Sequence, residues 1–211
     1  MKKSLRISII GPGDIKYHYQ KLLKIKEKVL KNHINNIAKT IVKSNNSIAL
    51  VPDKGICLEI AKSYKKQGGK QTLAIVPKDD KKYGIKHLKQ NIKEKGLFDK
   101  IINSKTWQEQ LFNLCLYGDI CLYLGSSIGS NAELLASIYR YNKLNKFKKD
   151  KKKFGGEIKA GSKIPLTFMI YTPFLKSKRL PAETEAYLKK FGVKLEYIKS
   201  SKQLKEKLQK L

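Results

Sequence analysis

The sequence predicts an α/β protein in which helices cover both faces of a doubly wound, mainly parallel sheet, giving the three layers of a Rossmann-like fold. Two observations predict it. Short apolar or β-branched runs alternate with longer segments of helical periodicity along the chain. Several of these runs also end in small or turn-forming residues, as parallel strands do where ligands bind. With 211 residues, 41% of them hydrophobic, the chain is expected to form one domain over residues 1–211.

The first half opens with a strand over residues 5–10 that breaks at Gly11-Pro12-Gly13. Asp14 is expected to cap a following segment that extends to about residue 43, as one helix or as two with a break near residues 31–33. Gly68 is expected to follow a helix end. The remaining elements predicted here are a strand over 47–51, a helix over 56–66, a strand over 72–76 and a short peripheral helix within 78–95.

In the second half, Thr106 is expected to cap a helix that ends at Gly118. Residues 142–162 hold the Lys-rich run 148–153 and are expected to form a mobile insertion inside the domain. The other predicted elements are strands over 99–103, 120–124, 164–172 and 193–198, with helices over 132–138, 181–191 and 201–211.

The functional interpretation depends on residues 119–133. The apolar run 120–124 suits a strand covered on both faces, and the residues after it have so little side chain that a ligand can approach the backbone. Ser130 or Asn131 is expected to cap the next helix, which places Glu133 in its first turn, where a carboxylate suits the helix dipole. A strand, a small-residue loop and a helix N-terminus together predict an anion site, because free amides and the dipole favour phosphate.

Three loops of this kind would lie on the same rim of a parallel sheet. A plain strand-to-helix turn is the alternative interpretation, above all for residues 52–55. The predicted phosphate-binding residues are Gly11, Pro12 and Gly13 after the first strand, Gly55 after the second, and Gly125, Ser126, Ser127, Ile128, Gly129, Ser130 and Asn131 after the central strand.

The third loop also resembles a family signature. The register from Gly125 to Glu133 matches the motif P-G-G-x-G-T-x-x-E, with Gly129 and Glu133 identical and Ser130 in place of Thr. The pattern resembles the LOG-like (SLOG) Rossmann family, which carries the label lysine decarboxylase and includes cytokinin-activating phosphoribohydrolases. Molybdenum-cofactor carrier proteins and DprA-like DNA-processing proteins are its wider relatives. The similarity extends in detail over about residues 7–133.

The resemblance implies a nucleotide-binding protein of unknown activity, with no required cofactor and a possible bound nucleotide such as AMP. It also implies a homodimer or larger homo-oligomer, with the helix that carries Leu134, Leu135 and Ile138 either at the interface or packed on the sheet. Three other functions stay open. The first is hydrolysis of a nucleoside 5′-monophosphate, with Glu133 as the catalytic carboxylate. The others are DprA-like nucleic-acid binding and transport of a phosphorylated cofactor such as molybdopterin.

One departure from the family puts hydrolysis in doubt. Gln110 stands where the phosphoribohydrolases carry an Arg in the helix before the signature strand. A neutral amide cannot make the bidentate charged contact that Arg makes with phosphate. NAD-dependent dehydrogenase chemistry is also disfavoured, because Lys16 stands where G-x-G-x-x-G needs its third glycine.

Composition adds a strong positive charge: 46 Lys and Arg against 17 Asp and Glu give +29. The excess favours weak, nonspecific nucleic-acid binding, or it is a lysine-rich composition without a function. Cys57, Cys115 and Cys121 lack metal-ligand spacing, which predicts reduced thiols in a cytoplasmic protein without a metal site. No apolar stretch is long enough to cross a membrane, and the histidines are expected at ordinary surface or edge positions.

Overall fold

A computed structural model describes residues 4–78, 86–94, 96–146 and 158–211. Seven strands within these residues form one sheet in the order β4-β3-β2-β1-β5-β6-β7, and all neighbouring pairs are parallel. The strands are β1 Arg6–Ile10, β2 Ser47–Leu50, β3 Thr72–Pro77, β4 Lys100–Ser104, β5 Ile120–Tyr123, β6 Thr167–Tyr171 and β7 Lys194–Ile198. The predicted α/β fold with a parallel sheet is confirmed.

Helices connect the strands. A π-helix over Lys16–Leu22 precedes the first α-helix. One 3-10 turn, over Leu114–Tyr117, follows the helix over Trp107–Asn113, and another, over Thr172–Phe174, follows β6. The α-helices are α1 Glu27–Lys43, α2 Ile56–Lys66, α3 Lys86–Lys93, α4 Trp107–Asn113, α5 Ile128–Lys146, α6 Ala182–Lys190 and α7 Ser201–Gln209.

The strand order reverses at β1, which pairs with β2 on one side and β5 on the other. Ile7 lies opposite Ile120 and Ile10 opposite Tyr123, so β1 and β5 end at the same level. In open parallel sheets this reversal opens a crevice at the carboxyl ends of the strands, and ligands bind there.

Side chains alternate between two cores, one on each face of the sheet. Ile9 and Leu122 point to a core that α1, α2 and α7 cover. Ile10 and Tyr123 point to the opposite core, which α5 covers with Leu134 and other apolar residues. Leu134 and Ile138 are therefore packed on the sheet, whereas Leu135 is 53% exposed.

The segment after β1 differs from the prediction in where it breaks. Asp14 caps it as expected, since its Oδ1 accepts a hydrogen bond from the amide of Tyr17 at 2.9 Å. The break falls at residues 23–26, where Lys24 has a left-handed φ of 55°, and not at residues 31–33, which lie within α1. The amides of Leu23 and Ile25 donate to the carbonyl oxygens of His18 and Tyr19 within the π-helix and close it there.

Both ends of the predicted insertion over residues 142–162 lie within the described fold. Residues 142–146 belong to α5, because the helix continues to Lys146. The amides of Lys159 and Ala160 donate to the carbonyl oxygen of Leu116 at 2.9 and 3.1 Å, which fixes the chain before β6. The Lys-rich run 148–153 lies outside the described residues. Across the described residues, no helix combines the length and the apolar character needed to cross a membrane.

Candidate phosphate-binding site

The three predicted loops meet at the carboxyl ends of β1, β2 and β5. A Cβ atom on Gly55, whose φ is +108°, would lie 2.5 Å from the carbonyl oxygen of Pro12 and 2.5 Å from the Cα of Gly13. A Cβ atom on Gly125, whose φ is +137°, would lie 3.1 Å from Cδ of Pro12. Both positions require glycine, because left-handed backbone and close approach each exclude a side chain. The loops therefore pack against one another as one structure.

Helix α5 begins earlier than predicted. Its first residue is Ile128, and the amide of Asn131 donates to the carbonyl oxygen of Ser127 at 2.9 Å. The Oγ of Ser127 accepts a hydrogen bond from the amide of Ser130 at 3.2 Å, so Ser127 is the cap. The expectation that Ser130 or Asn131 caps the helix is wrong, since both lie within it. Glu133 consequently lies beyond the first turn.

The side chains of Ser130 and Asn131 stabilise the loop. The Oγ of Ser130 donates to the carbonyl oxygen of Gly125 and accepts from the amide of Ser127, both at 2.8 Å. The Oδ1 of Asn131 accepts a hydrogen bond from the hydroxyl of Tyr123 at 2.5 Å. These bonds join the end of β5 to the first turn of α5 and fix the backbone between them.

Two amides at the start of α5 remain available to a ligand. The first-turn amides of a helix have no partner within the helix, and here Ser127 occupies that of Ser130. Those of Ile128 and Gly129 make no hydrogen bond to the described residues, and both residues are exposed. Of the amides in this loop and helix start, those of Ile128 and Gly129 are therefore the donors open to the predicted anion, and the exposed Ser126 lies next to them.

A small cavity of about 120 Å³ lies on one side of this helix start. Gly11, Gly13, Gly129 and Glu133 line it together with Asp53. This volume is well below the roughly 300 Å³ of the smallest ordinary ligand pockets. The cavity has room for a part of a ligand rather than a whole nucleotide.

Glu133 is the most perturbed carboxyl group of the site. Burial raises its pKa from 4.5 to about 8, and the negative charge of Asp53 acts in the same direction. Gln110 lies close enough to lower that pKa through its amide, yet neither its nitrogen nor its oxygen makes a hydrogen bond of normal geometry within the described residues. At neutral pH Glu133 is mostly protonated and can donate a hydrogen bond.

A larger cleft of about 680 Å³ lies on the other side of the helix start. Its walls are the π-helix, the first turns of α5 and the segment over residues 175–184. Ser126, in the loop before α5, and Asn131, in α5, also line this cleft. Lys176 and Arg179 supply positive charge to it. The segment 175–184 follows β6 and has no recognisable motif, so sequence reasoning missed these cations.

His18 corrects a second expectation. His18, expected at the surface or an edge, is 5% exposed and lines the larger cleft, with Nε2 3.4 Å from the carbonyl oxygen of Phe174. Nδ1 of His33 lies 2.7 Å from the hydroxyl of Tyr171. Both rings are held by aromatic packing around Phe174, and burial lowers the pKa of each below 6.5. His18 therefore faces the cleft as a neutral ring at neutral pH.

Cys57, Cys115 and Cys121 are free thiols, and burial raises the pKa of Cys57 and Cys121 well above its usual range. Among the described residues, no three His, Cys, Asp or Glu side chains lie close enough together to share a metal ion.

No protein-family model matches the sequence, and no curated protein sequence matches it either. Solved structures do resemble it. The molybdenum cofactor carrier protein of Chlamydomonas reinhardtii superposes with a TM-score of 0.57 at 13% identity, over 99% of this chain and 98% of that one. The molybdenum cofactor binding protein of the phototrophic bacterium Rippkaea orientalis gives 0.56 at 12% identity, over 100% and 98%. The structural-genomics target TM1055 gives 0.56 at 11% identity, over 98% and 99%.

At these identities the likeness shows the fold. The chain has the Rossmann-like α/β fold that these solved structures share. The comparisons carry no lysine decarboxylase or hydrolase assignment, and those parts of the resemblance stay predictions.

Proposed function

We propose that this protein binds a small phosphorylated ligand of nucleotide or pterin type and holds it as a binding or carrier protein. The observation that carries the proposal is the start of α5, where the amides of Ile128 and Gly129 lie between two openings: the 120 Å³ cavity, which Gly129 lines, and the 680 Å³ cleft, which Ser126 and Asn131 line. Positive charge from the helix dipole, Lys176 and Arg179 favours a phosphate there.

The rest of the ligand fits the cleft in size and character. Its volume lies within the range of roughly 300–1,000 Å³ that is usual for small-molecule sites. Leu22, Leu135 and Leu175 give it apolar walls, and His18 adds a neutral ring that can hydrogen-bond a heterocycle. A planar ring system with one phosphate would satisfy both parts of the site.

A phosphorylated pterin such as molybdopterin is one candidate, because two of the structural neighbours are described as molybdenum cofactor carrier or binding proteins. The residues present suit such a group, since exposed amides and Lys176 match its phosphate and the cleft matches a fused ring. Ile128, Gly129 and Lys176 would hold the phosphate, and the cofactor would supply the metal chemistry to a later acceptor. This chain would bind, orient and shield the cofactor.

A second candidate is hydrolysis of a nucleoside 5′-monophosphate, which the protonated Glu133 favours. Water would add to the ribose C1′ while the C1′–N bond breaks, Glu133 would give its proton to the departing base, and the proton that the water releases would return to the Glu133 carboxylate. Gln110, which lies near Glu133, lacks the charge of the family's Arg. The 120 Å³ cavity is also too small for the base and the ribose together.

One pair of variants tests the phosphate site. A Cβ atom on Gly129 would have only the Oγ of Ser127 near it, at 4.0 Å, so a side chain fits there. Gly129→Asp puts a carboxylate where the phosphate is proposed, and Gly129→Asn puts in a neutral side chain of equal size. We expect Gly129→Asp to weaken AMP binding by more than tenfold in calorimetry and Gly129→Asn to weaken it by a smaller factor. Equal affinities for the two variants would refute the site.

The ligand and the reaction need separate measurements. Mass spectrometry of the supernatant after denaturation identifies a phosphorylated molecule that co-purifies with the protein. Incubation with AMP, followed by chromatography for free adenine, tests hydrolysis. A co-purifying phosphorylated ligand and intact AMP support the carrier, whereas adenine release that Glu133→Gln abolishes supports the hydrolase instead.

A further inference from the structure

A separate cleft of about 650 Å³ lies beyond the proposed site, at the carboxyl ends of β6 and β7. Thr172 and Pro173 line it after β6, Tyr197 and Lys199 line it at the end of β7, and Lys178 and Arg179 complete it. No sequence motif pointed to this place. Arg179 belongs to its wall and to the wall of the 680 Å³ cleft, so the two clefts adjoin.

Arg179 is held in a fixed orientation. Its Nε and Nη2 donate to the two carboxylate oxygens of Glu185 at 3.2 and 2.9 Å. The hydroxyl of Tyr197 donates to the same carboxylate and accepts from the amide of Leu180 at 3.1 Å. The guanidinium carbon lies 5.7 Å from the centre of the Tyr197 ring. These contacts fix the side chain before any ligand arrives.

The same pairing leaves part of the guanidinium to a ligand. An Arg side chain has five N–H donors, of which Glu185 takes two. The Arg179 side chain is 69% exposed, whereas that of Glu185 is 7% exposed, so the anionic partner is buried beneath the cation. Hydrogen bonds from Arg179 and Tyr197 also hold the pKa of Glu185 below its usual range.

Two lysines add charge to the same cleft. Lys178 and Lys199 are both exposed, and neither forms an ion pair with a described residue. Glu196, a nearby carboxylate on β7, is already paired with Lys194 and Lys207. The cleft therefore has an excess of positive charge, and an oriented Arg with additional cations is the arrangement that suits a phosphate dianion.

We propose that the cleft formed by Lys178, Arg179 and Lys199 is a second anion-binding site, which takes the phosphate group of a phosphorylated small molecule. The inference goes beyond the site at α5 and does not require it. Because Arg179 borders both clefts, the phosphate belongs either to the far end of the same ligand or to a separate molecule. The test distinguishes these two sources.

The variant for the test is Lys178→Gly/Lys199→Ala. Lys178 has a left-handed φ of 57°, which glycine adopts without strain, and the Lys199 side chain makes no described bond. Arg179 is retained, because its removal would leave the buried Glu185 without its cation. The control is Lys202→Ala/Lys205→Ala, which removes the same charge from exposed positions of α7 outside the cleft.

Calorimetry at low salt, with AMP and with diadenosine diphosphate, shows whether one ligand or two occupy the clefts. If one ligand spans both clefts, the dinucleotide binds once per chain, more tightly than AMP. The cleft variant then loses about tenfold in dinucleotide affinity, and the control stays within about twofold. If separate molecules bind, AMP shows two sites and the cleft variant keeps one. Either result supports the second site.

The inference is overturned if the cleft variant and the control bind both probes equally. It is also overturned if the variant weakens only the binding of a single-stranded oligonucleotide, since the cleft would then serve nucleic acid. The variant Gly129→Asp tests the site at α5 on its own. This variant is expected to weaken AMP binding at α5 and leaves the residues of the second cleft unchanged, so failure of one site is measured independently of the other.

Discussion

Ser127 and Ser130 cap each other at the start of α5. The Oγ of Ser130 accepts from the amide of Ser127 at 2.8 Å, and the Oγ of Ser127 accepts from the amide of Ser130 at 3.2 Å. This exchange satisfies the amides of Ser127 and Ser130, whereas those of Ile128 and Gly129 make no hydrogen bond to the described residues and stay available to the proposed ligand. The pair therefore decides both where the helix begins and which donors the site offers.

Ser130→Ala should destabilise the protein and weaken phosphate binding together. Ser130 is 2% exposed, and its loss leaves the carbonyl of Gly125 and the amide of Ser127 without their partner. We expect the free energy of unfolding in urea to fall by about 1–3 kcal/mol. Ser44→Ala is the control, since the Ser44 side chain makes no hydrogen bond to the described residues. A loss no larger than that of Ser44→Ala would mean that the cap does not support the loop.

Gly55→Ala should be far more harmful than Gly68→Ala, although both glycines have a left-handed φ. A Cβ atom at Gly68 would have nothing within 4 Å, so that variant carries only the backbone cost of about 1 kcal/mol. At Gly55 the added atom meets the backbone of Pro12 and Gly13. We expect an additional loss of about 2 kcal/mol or more in urea unfolding, with weaker AMP binding. Equal losses would show that the loops are not in close contact.

The sheet could be predicted because its strands are read from local patterns. Apolar runs such as 120–124, bounded by glycine or proline, are strands covered on both faces, and their alternation with helices leaves few topologies. The shared position of the three loops could also be predicted, because strands of a parallel sheet end on the same side. Gly55 and Gly125 were found in this way, from their positions after strands.

The details of the site depend on contacts that local patterns do not carry. Ser127, Ser130 and Asn131 are all good caps, and only the packing of the loop selects Ser127. His18 and Arg179 enter the larger cleft because the π-helix and the segment after β6 pack beside α5. The break of the first helical segment at Lys24 is likewise set by carbonyl groups of the π-helix, with no glycine or proline to mark it.

Glu133 should make the protein less stable as pH rises. Its folded pKa is about 8 and its ordinary value is 4.5, so between these values the folded state binds the proton and the unfolded state has released it. The contribution of Glu133 is therefore most favourable below pH 4.5, decreases up to pH 8 and is constant above it. The slope it adds is at most about 1.4 kcal/mol per pH unit.

Glu133→Gln removes this titration. We expect the free energy of unfolding of the variant, relative to that of the wild type, to increase from pH 4.5 to pH 8 in parallel urea titrations. Other groups titrate alike in both proteins and cancel in the difference. A difference for Glu133→Gln that stays flat between pH 4.5 and pH 8 would mean that the carboxyl group is ionised in the folded protein.

The positive charge should produce nucleic-acid binding that salt removes. With 46 basic and 17 acidic residues, the chain is expected to attract a phosphate backbone through its charge alone. We expect a fluorescent single-stranded oligonucleotide to bind at low ionic strength, and its affinity, measured by anisotropy, to fall linearly with salt on a logarithmic plot until it is lost near about 0.15 M. Scrambled sequences should bind equally, because contacts to phosphate carry no sequence information. Tight binding that persists at about 0.15 M salt and depends on sequence would instead require a dedicated nucleic-acid site, as in the DprA-like alternative.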